Sequence, residues 1–215
     1  MNVRVPWEWW GTDLPYAETL TRQEGLREEV LQGLPSECLG LLEHREVITV
    51  GRRAVGNLPT GPELHERGID FHATRRGGLA TWHGPGQLVG YLICAVGRRN
   101  WTVRGTVAGL EDGLIQWLEG AGVRGERRCG HPGVWVGKKK VGSLGLHFRK
   151  GVSIHGFALN LSPVGSGADL IEPCGLSSDT LTSVLELTGA CGSAASVAPQ
   201  LGQLVIDSLP GSPSS

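Results

Sequence analysis

From Cys38 to Leu161 the chain supplies one short apolar segment after another, and only one clear helical pattern interrupts them. Cys38–Leu42, Val47–Val50, Ile69–Ala73, Leu79–Trp82, Leu88–Val96, Val134–Val136, Val141–Phe148 and Val152–Leu161 have the length and β-branched content of strands. Between them, Val107, Leu110, Leu114 and Trp117 recur at helical spacing within Thr102–Gly120. Leu14–Gln32, with Glu and Arg mixed along it, reads as a surface helix, and Val197, Leu201 and Leu204 suggest a last one. Strands that come in runs, not in alternation with helices, disfavour a doubly wound parallel sheet. The expected class is α+β: a mixed, mostly antiparallel sheet with flanking helices. Within Val152–Leu161 the apolar parity changes at His155-Gly156, which predicts a β-bulge or kink there.

At 215 residues and 40% apolar content the chain is long enough for one sizeable core, expected over 1–209 with a disordered tail at 210–215. The longest apolar run, Leu88–Val96, is far too short to cross a bilayer, so no membrane association is expected. The N-terminus carries no basic-then-apolar secretory pattern. Five cysteines, an odd number with no C-x-x-C, disfavour both a disulfide framework and a zinc ribbon. A cytoplasmic location with reduced thiols is the expectation.

The net charge of −1 conceals a segregation, because residues 52–150 hold 16 Lys/Arg against 7 Asp/Glu. Much of this comes as runs: Arg52-Arg53, Arg75-Arg76, Arg98-Arg99, Arg127-Arg128, Lys138-Lys139-Lys140 and Arg149-Lys150. Two readings stand open, solvated loop ends or a positive face that steers an acidic partner. Nucleic acid is disfavoured, since no aromatic residues interleave with the basic runs as on a stacking platform.

Three segments carry chemical possibilities. Arg75-Arg76-Gly77-Gly78-Leu79-Ala80-Thr81-Trp82-His83-Gly84-Pro85-Gly86-Gln87 surrounds a short strand with glycines that let backbone approach a ligand, although a Gly-ended hairpin explains it equally. Gly133–Gly145 runs three lysines into the small-residue strand Gly142-Ser143-Leu144-Gly145. Lys140, nearest that strand, is the one placed to point inward. In Glu172-Pro173-Cys174-Gly175-Leu176 a cysteine sits on a stiff turn without an apolar surround. A buried structural cysteine is the commoner case, and Cys94 in its apolar run is one.

Taken together the segments resemble the lipoyl/octanoyl transferases of protein lipoylation. That family carries R-G-G-x-x-T-[YW]-H-G-P-G-Q, then G-V-[WY]-V with a lysine and a small-residue strand, then H-G-[FL]-A-L-N, then P-C-G. The four motifs fall here, in order, on Arg76–Gln87, Gly133–Gly145, His155–Asn160 and Pro173–Gly175. The resemblance implies a biotin/lipoate protein ligase-like fold. It also implies transfer of octanoyl from an acyl carrier protein to a lysine of lipoyl domains, those of 2-oxoacid dehydrogenase E2 subunits and of the glycine cleavage H protein. By the same resemblance Cys174 is the acyl-thioester cysteine and Lys140 the lysine that lowers its pKa; His83 is a further catalytic candidate. The acyl site is implied at Arg76, Gly77, Gly78, Leu79, Ala80, Thr81, Trp82 and His83, at Ser143, Leu144 and Gly145, and at Gly156, Phe157 and Ala158. No ATP or metal is implied, and the expected state is a monomer. Trp82 and Arg45-Glu46 stand where the family often has Tyr and prolines. The rival classes are an ATP-dependent lipoate- or biotin-type ligase, a cysteine hydrolase and a binding module without catalysis.

Overall fold

The structure is a computed structural model and describes residues 4–53, 58–59, 61–171 and 180–211, with only the backbone of His65. Cys174, Pro173 and Gly175 therefore lie outside the described residues, as do positions 212–215 of the expected tail.

The strand-rich stretch forms two sheets. The larger has seven strands in the order β1-β2-β6-β10-β9-β8-β7. These are β1 (Trp7–Leu14), β2 (Cys38–His44), β6 (Gln87–Ile93), β7 (Glu126–Arg128), β8 (His131–Val136), β9 (Lys139–Arg149) and β10 (Val152–Asn160). Only the β1–β2 pair is parallel. The smaller sheet has the order β4-β3-β5, with β3 (Val47–Val50), β4 (Asp70–Ala73) and β5 (Ala80–His83). The α+β expectation holds. β1 and β7, absent from the apolar pattern, are edge strands. β1 breaks register at Gly11, and Asp13 there has φ 54.

Both faces of the large sheet are covered. On one lie α3 (Val103–Gly120) and α5 (Ala194–Ser208), over a core that includes Leu88, Leu92, Leu114, Phe157 and Leu201. Thr102 caps α3 by accepting the Gly105 N–H at 2.9 Å. α3 and α5 cross closely because Gly109 and Gly113 face the α5 backbone; a Cβ on Gly113 would stand 2.5 Å from Val205 Cα. On the other face lies α1 (Tyr16–Gln32), over Val89, Tyr91, Val152 and Ile154. It ends at Gly33, whose φ of 92 is left-handed. The short α2 (Gly61–Glu66) and a single 3₁₀ turn (Ser166–Leu170) close the small sheet over Ile48, Ile69, Trp82 and Ala168.

Two expectations need a closer statement. α1 is the expected surface helix, with more than half of its residues exposed, but one side of it is packed on the sheet. Its buried stripe is Tyr16, Thr19, Gln23, Arg27 and Val30, mostly polar, so the sequence hides its inward face. Of the bulge or kink expected at His155-Gly156, the bulge is absent, because β10 pairs with β9 in unbroken register from Val152 to Leu159, whereas the kink is present at His155. The parity change has another cause: even positions face the α1 core, while Phe157, Leu159 and Leu161 face the α3/α5 core. What does happen at His155 is a left-handed φ of 61, with its N–H turned to Gln23 Oε1 at 2.9 Å.

Candidate active site

Strand pairing brings two of the four motifs side by side. Ser143, Leu144 and Gly145 of β9 stand opposite Ala158, Phe157 and Gly156 of β10. The loop before β5 then folds over them, Gly77 N–H donating to Leu146 O at 3.1 Å. Little room is left for a side chain here, a tight fit at Gly145 and none at Gly156. A Cβ on Gly145 would lie 3.1 Å from Gly77 O, and one on Gly156 2.2 Å from Gly90 O.

The result is a pocket between the two sheets with a mostly apolar lining. Arg76, Gly78, Thr81, His83, Ser143, Leu144, Gly145, Gly156, Phe157 and Ala158 border it, ten of the positions singled out in the sequence. Gly77 and Leu79 border an adjoining outer cleft, which meets the cavity at Gly78, Leu144 and Gly145. Ala80 and Trp82 border neither. The two-residue period of β5 turns Thr81 and His83 toward the cavity and sends Ala80 and Trp82 into the small-sheet core. There Trp82 Nε1 donates to Glu46 Oε1 at 3.1 Å.

Four residues that the sequence reading passed over also border the cavity: Tyr16, Val89, Tyr91 and His155. His155 stood in a quoted motif. Tyr16 and Tyr91 gave no signal, because each acquires its place through a helix or strand distant in sequence.

The polar groups are orientated by hydrogen bonds. Gln87 Nε2 donates to Asn160 Oδ1 at 2.9 Å, so Gln87 Oε1 is the acceptor of His83 Nδ1–H at 2.7 Å. Asn160 Nδ2 in turn donates to Thr182 O at 3.0 Å, and Thr182 N–H donates to Lys140 O at 3.0 Å. The chain fixes the His83 tautomer and leaves Nε2 as an acceptor. Likewise His44 Nδ1–H donates to Leu14 O at 2.9 Å, and its Nε2 accepts from Tyr91 OH at 2.7 Å. Arg76 is locked against Thr49, its Nη2 donating to Thr49 O at 2.7 Å.

Burial sets the charges here. His83 is held down to about 3 by desolvation first, then by His44. His155 is held to about 3 by desolvation and the Arg76 cation, and His44 to about 4 chiefly by desolvation. All three are neutral at pH 7. Their folded values lie below the unfolded value near 6.5, so the unfolded chain binds more protons as pH falls between these limits. Stability present above pH 6.5 is therefore expected to be lost progressively toward pH 3. Denaturant titrations at several pH values should show the free energy of unfolding rising with pH across that window, by more than one proton's worth; a flat profile would contradict this placement of the histidines.

Lys140 is 3% exposed, whereas Lys138 and Lys139 are exposed. The β8–β9 register supplies the cause. It shifts between Val134 and Trp135, leaving Val141 as an extra residue just beyond Lys140. A bulge of this kind re-aims the side chain beside it. The Lys140 side chain lies over Gly133, where a Cβ would come within 2.5 Å of Cε and 3.2 Å of Nζ. Gly133 is held by its N–H to the buried Glu111 Oε1 at 2.9 Å, and Glu111 Oε2 accepts from Arg127 Nε at 2.9 Å. Lys140 borders the outer cleft. Among the described residues Nζ has no hydrogen-bond acceptor, and the Trp135 ring centroid lies 5.5 Å from it.

Of the other cysteines, Cys38 and Cys94 are buried, with thiols pushed upward by desolvation, Cys38 to about 12. Among the described residues no three His, Cys, Asp or Glu side chains converge to hold a metal ion, and no helix is long and apolar enough to cross a membrane. The basic runs do not all face outward. Arg98 donates to Val30 O and Leu31 O at the end of α1, Arg99 pairs with Glu37, and Arg127 pairs with Glu111 and Asp112.

Comparison with known proteins agrees with this geometry. The lipoyl protein ligase A/B catalytic domain matches residues 15–203. A protein of Solibacter usitatus called octanoyltransferase is 44% identical over 76% of this chain and 75% of its own length. One of the same name from Syntrophotalea carbinolica is 40% identical over 82% and 81%. Among solved structures, lipoate-protein ligase A bound with ATP superimposes with a TM-score of 0.71 at 13% identity, over 97% of this chain and 85% of that one. Biotin protein ligase from Aquifex aeolicus gives 0.53 at 12%, over 96% and 69%. At these identities the structures speak to fold alone.

Proposed function

The chain belongs to the lipoyl protein ligase A/B catalytic-domain family and, within it, to the octanoyltransferases; from that premise we propose that it moves octanoyl from an acyl carrier protein, through a thioester on Cys174, to a lysine of a lipoyl domain. It is an acyltransferase, read here as one catalytic domain over 1–209 that acts in the cytoplasm without ATP or metal.

The observation that carries this reading is the buried Lys140. An ammonium withdrawn from water, with no acceptor among the described residues, calls for an anion opposite it. A cysteine thiolate answers that need, and Leu181, seven residues after Cys174 in the sequence, bridges to Lys140. A free thiol of pKa about 8.5 is only a few per cent ionised at neutral pH, so a contacting cation raises its reactivity directly.

The steps balance. Cys174 thiolate attacks the donor carbonyl, its S–C bond forms, and the carrier's S–C bond breaks. The departing thiolate takes a proton from Lys140, which is left neutral. The acceptor lysine, as a free amine, then attacks the Cys174 thioester. A C–N bond forms, the S–C bond breaks, the proton passes to Lys140, and the thiolate–ammonium pair is restored. One thioester replaces another and an amide follows downhill, so no adenylation is needed. His83, neutral and too weak a base to hold the proton, offers Nε2 as an acceptor that orients the incoming amine. The octanoyl tail occupies the apolar cavity.

Incubation with octanoyl carrier protein, without ATP, should add one octanoyl group that hydroxylamine removes. Intact-mass and peptide analysis should place it on Cys174 and not on Cys38, Cys94, Cys129 or Cys191. A label that survives Cys174→Ala, or transfer that requires ATP, would overturn the proposal.

A further inference from the structure

Among the residues that α3 buries, Glu111 alone is charged. It is 6% exposed and shares the inward stripe of Leu110, Leu114 and Leu118. A carboxylate withdrawn from water is costly unless its oxygens find donors. Both do. Oε2 accepts from Arg127 Nε at 2.9 Å, and Oε1 accepts the Gly133 N–H at 2.9 Å in a buried bond. The Arg127 side chain is 41% exposed and also reaches Asp112 and Ala108 O, so that bond ties Glu111 to the surface. The Gly133 bond points the other way, into the site. Gly133 is paired with no residue of β7, where the register breaks between Glu126 and Arg128. Glu111 supplies the acceptor that β7 does not.

Gly133 is also where Lys140 comes to rest. Its φ of 132 favours glycine, and a Cβ there would meet Gly142 O at 2.4 Å as well as the lysine chain. Gly133 stands opposite Ser143, three residues along β9 from Lys140. The lysine chain therefore lies along the strand, and its ammonium end is carried toward Ser143, which borders the acyl cavity. With no acceptor for Nζ among the described residues, packing against Gly133 and beside the Trp135 ring has to hold it there. We infer that Glu111 is a positioning residue for Lys140: by fixing the Gly133 N–H it holds in place the backbone on which the ammonium rests. The inference rests on the proposed pairing of Lys140 with Cys174 and adds to it the group that keeps Lys140 in place. A glutamate suits the task because a charged acceptor binds an N–H more tightly than a neutral one.

The test reads alkylation of Cys174 against pH by peptide mass, which needs no acyl donor. In E111L the midpoint should rise by about one unit, toward the ordinary thiol value of about 8.5. Octanoyl transfer by the same variant should lose about thirtyfold in kcat, within the roughly hundredfold that a misplacement of about 1 Å costs, with KM for the donor little changed. E111Q keeps an amide oxygen for the Gly133 N–H and should restore most of both. R127Q leaves that bond in place and should leave the midpoint where it is. In a K140A background E111L should move the midpoint no further, since the two changes act through one group. Thermal melts check folding. If E111L is unstable, E111D, which keeps the charge but draws the oxygen back by one methylene, should give a smaller rise of the same sign. A wild-type midpoint in E111L, or in E111D where that variant replaces it, would overturn the inference and leave Glu111 as a fastening between α3 and β8. So would a loss in E111Q as large as in E111L. An unmoved midpoint in K140A would instead overturn the pairing of Lys140 with Cys174, a separate result.

Discussion

Lys140→Ala should lower octanoyl transfer by about a thousandfold, within the range measured for removing a proton-transfer group or a preorganised charge. The same change at Lys138 or Lys139 should cost less than about threefold, since exposed charges are screened by water. The contrast rests on burial: Lys140 is 3% exposed and faces the cleft. Lys140→Arg should fail almost as badly as alanine. The side chain already lies over Gly133, where a Cβ would come within 2.5 Å of Cε, and a planar guanidinium has no more room there. The rate of thiol alkylation against pH separates a chemical role from a structural one. In Lys140→Ala its midpoint should rise toward the ordinary thiol value of about 8.5. Equal losses at all three lysines, or an unmoved midpoint, would reduce the run to an electrostatic patch.

The largest stability effect is expected at Gly156. A Cβ there would stand 2.2 Å from the carbonyl oxygen of Gly90 on the adjacent strand, and the obstacle is backbone, which cannot turn aside. Two central strands must separate to admit a methyl group. We expect Gly156→Ala to destabilise by about 3 kcal/mol or more, the upper part of the overpacking range, and thus by about 10 °C in a chain of this size. Transfer should fall with it, since Gly156 borders the acyl cavity. Gly25→Ala supplies a control of opposite sign. That position is exposed on α1 with nothing within 4 Å of a new Cβ, and alanine there should stabilise by roughly 0.5–1 kcal/mol. Calorimetry on both variants decides the matter. A Gly156→Ala protein as stable as the parent would mean that the strands are not as close as described.

The sequence determined more of the site than of its setting. Period-two apolar segments and the helical spacing around Leu110, Leu114 and Trp117 were enough to define an α+β chain, because burial of one face imposes a period locally. The motifs around Arg76–His83, Ser143–Gly145 and Gly156–Ala158 named ten of the cavity's lining positions before any strand was paired. What the sequence left undecided depends on neighbours far along the chain. A polar stripe from Tyr16 to Arg27 reads as a solvated face until α1 is laid over β10, where Gln23 meets the His155 N–H. Ala80 and Trp82 share a motif with Thr81 and His83, but β5 has two faces and only one of them meets the cavity. The sequence singled out Lys140 as the inward lysine, but the cause, a single extra residue, Val141, opposite the Val134–Trp135 step, appears only in the strand register. Residue types carry the chemistry locally; the register between strands, which local pattern leaves free, chooses the side chains that meet.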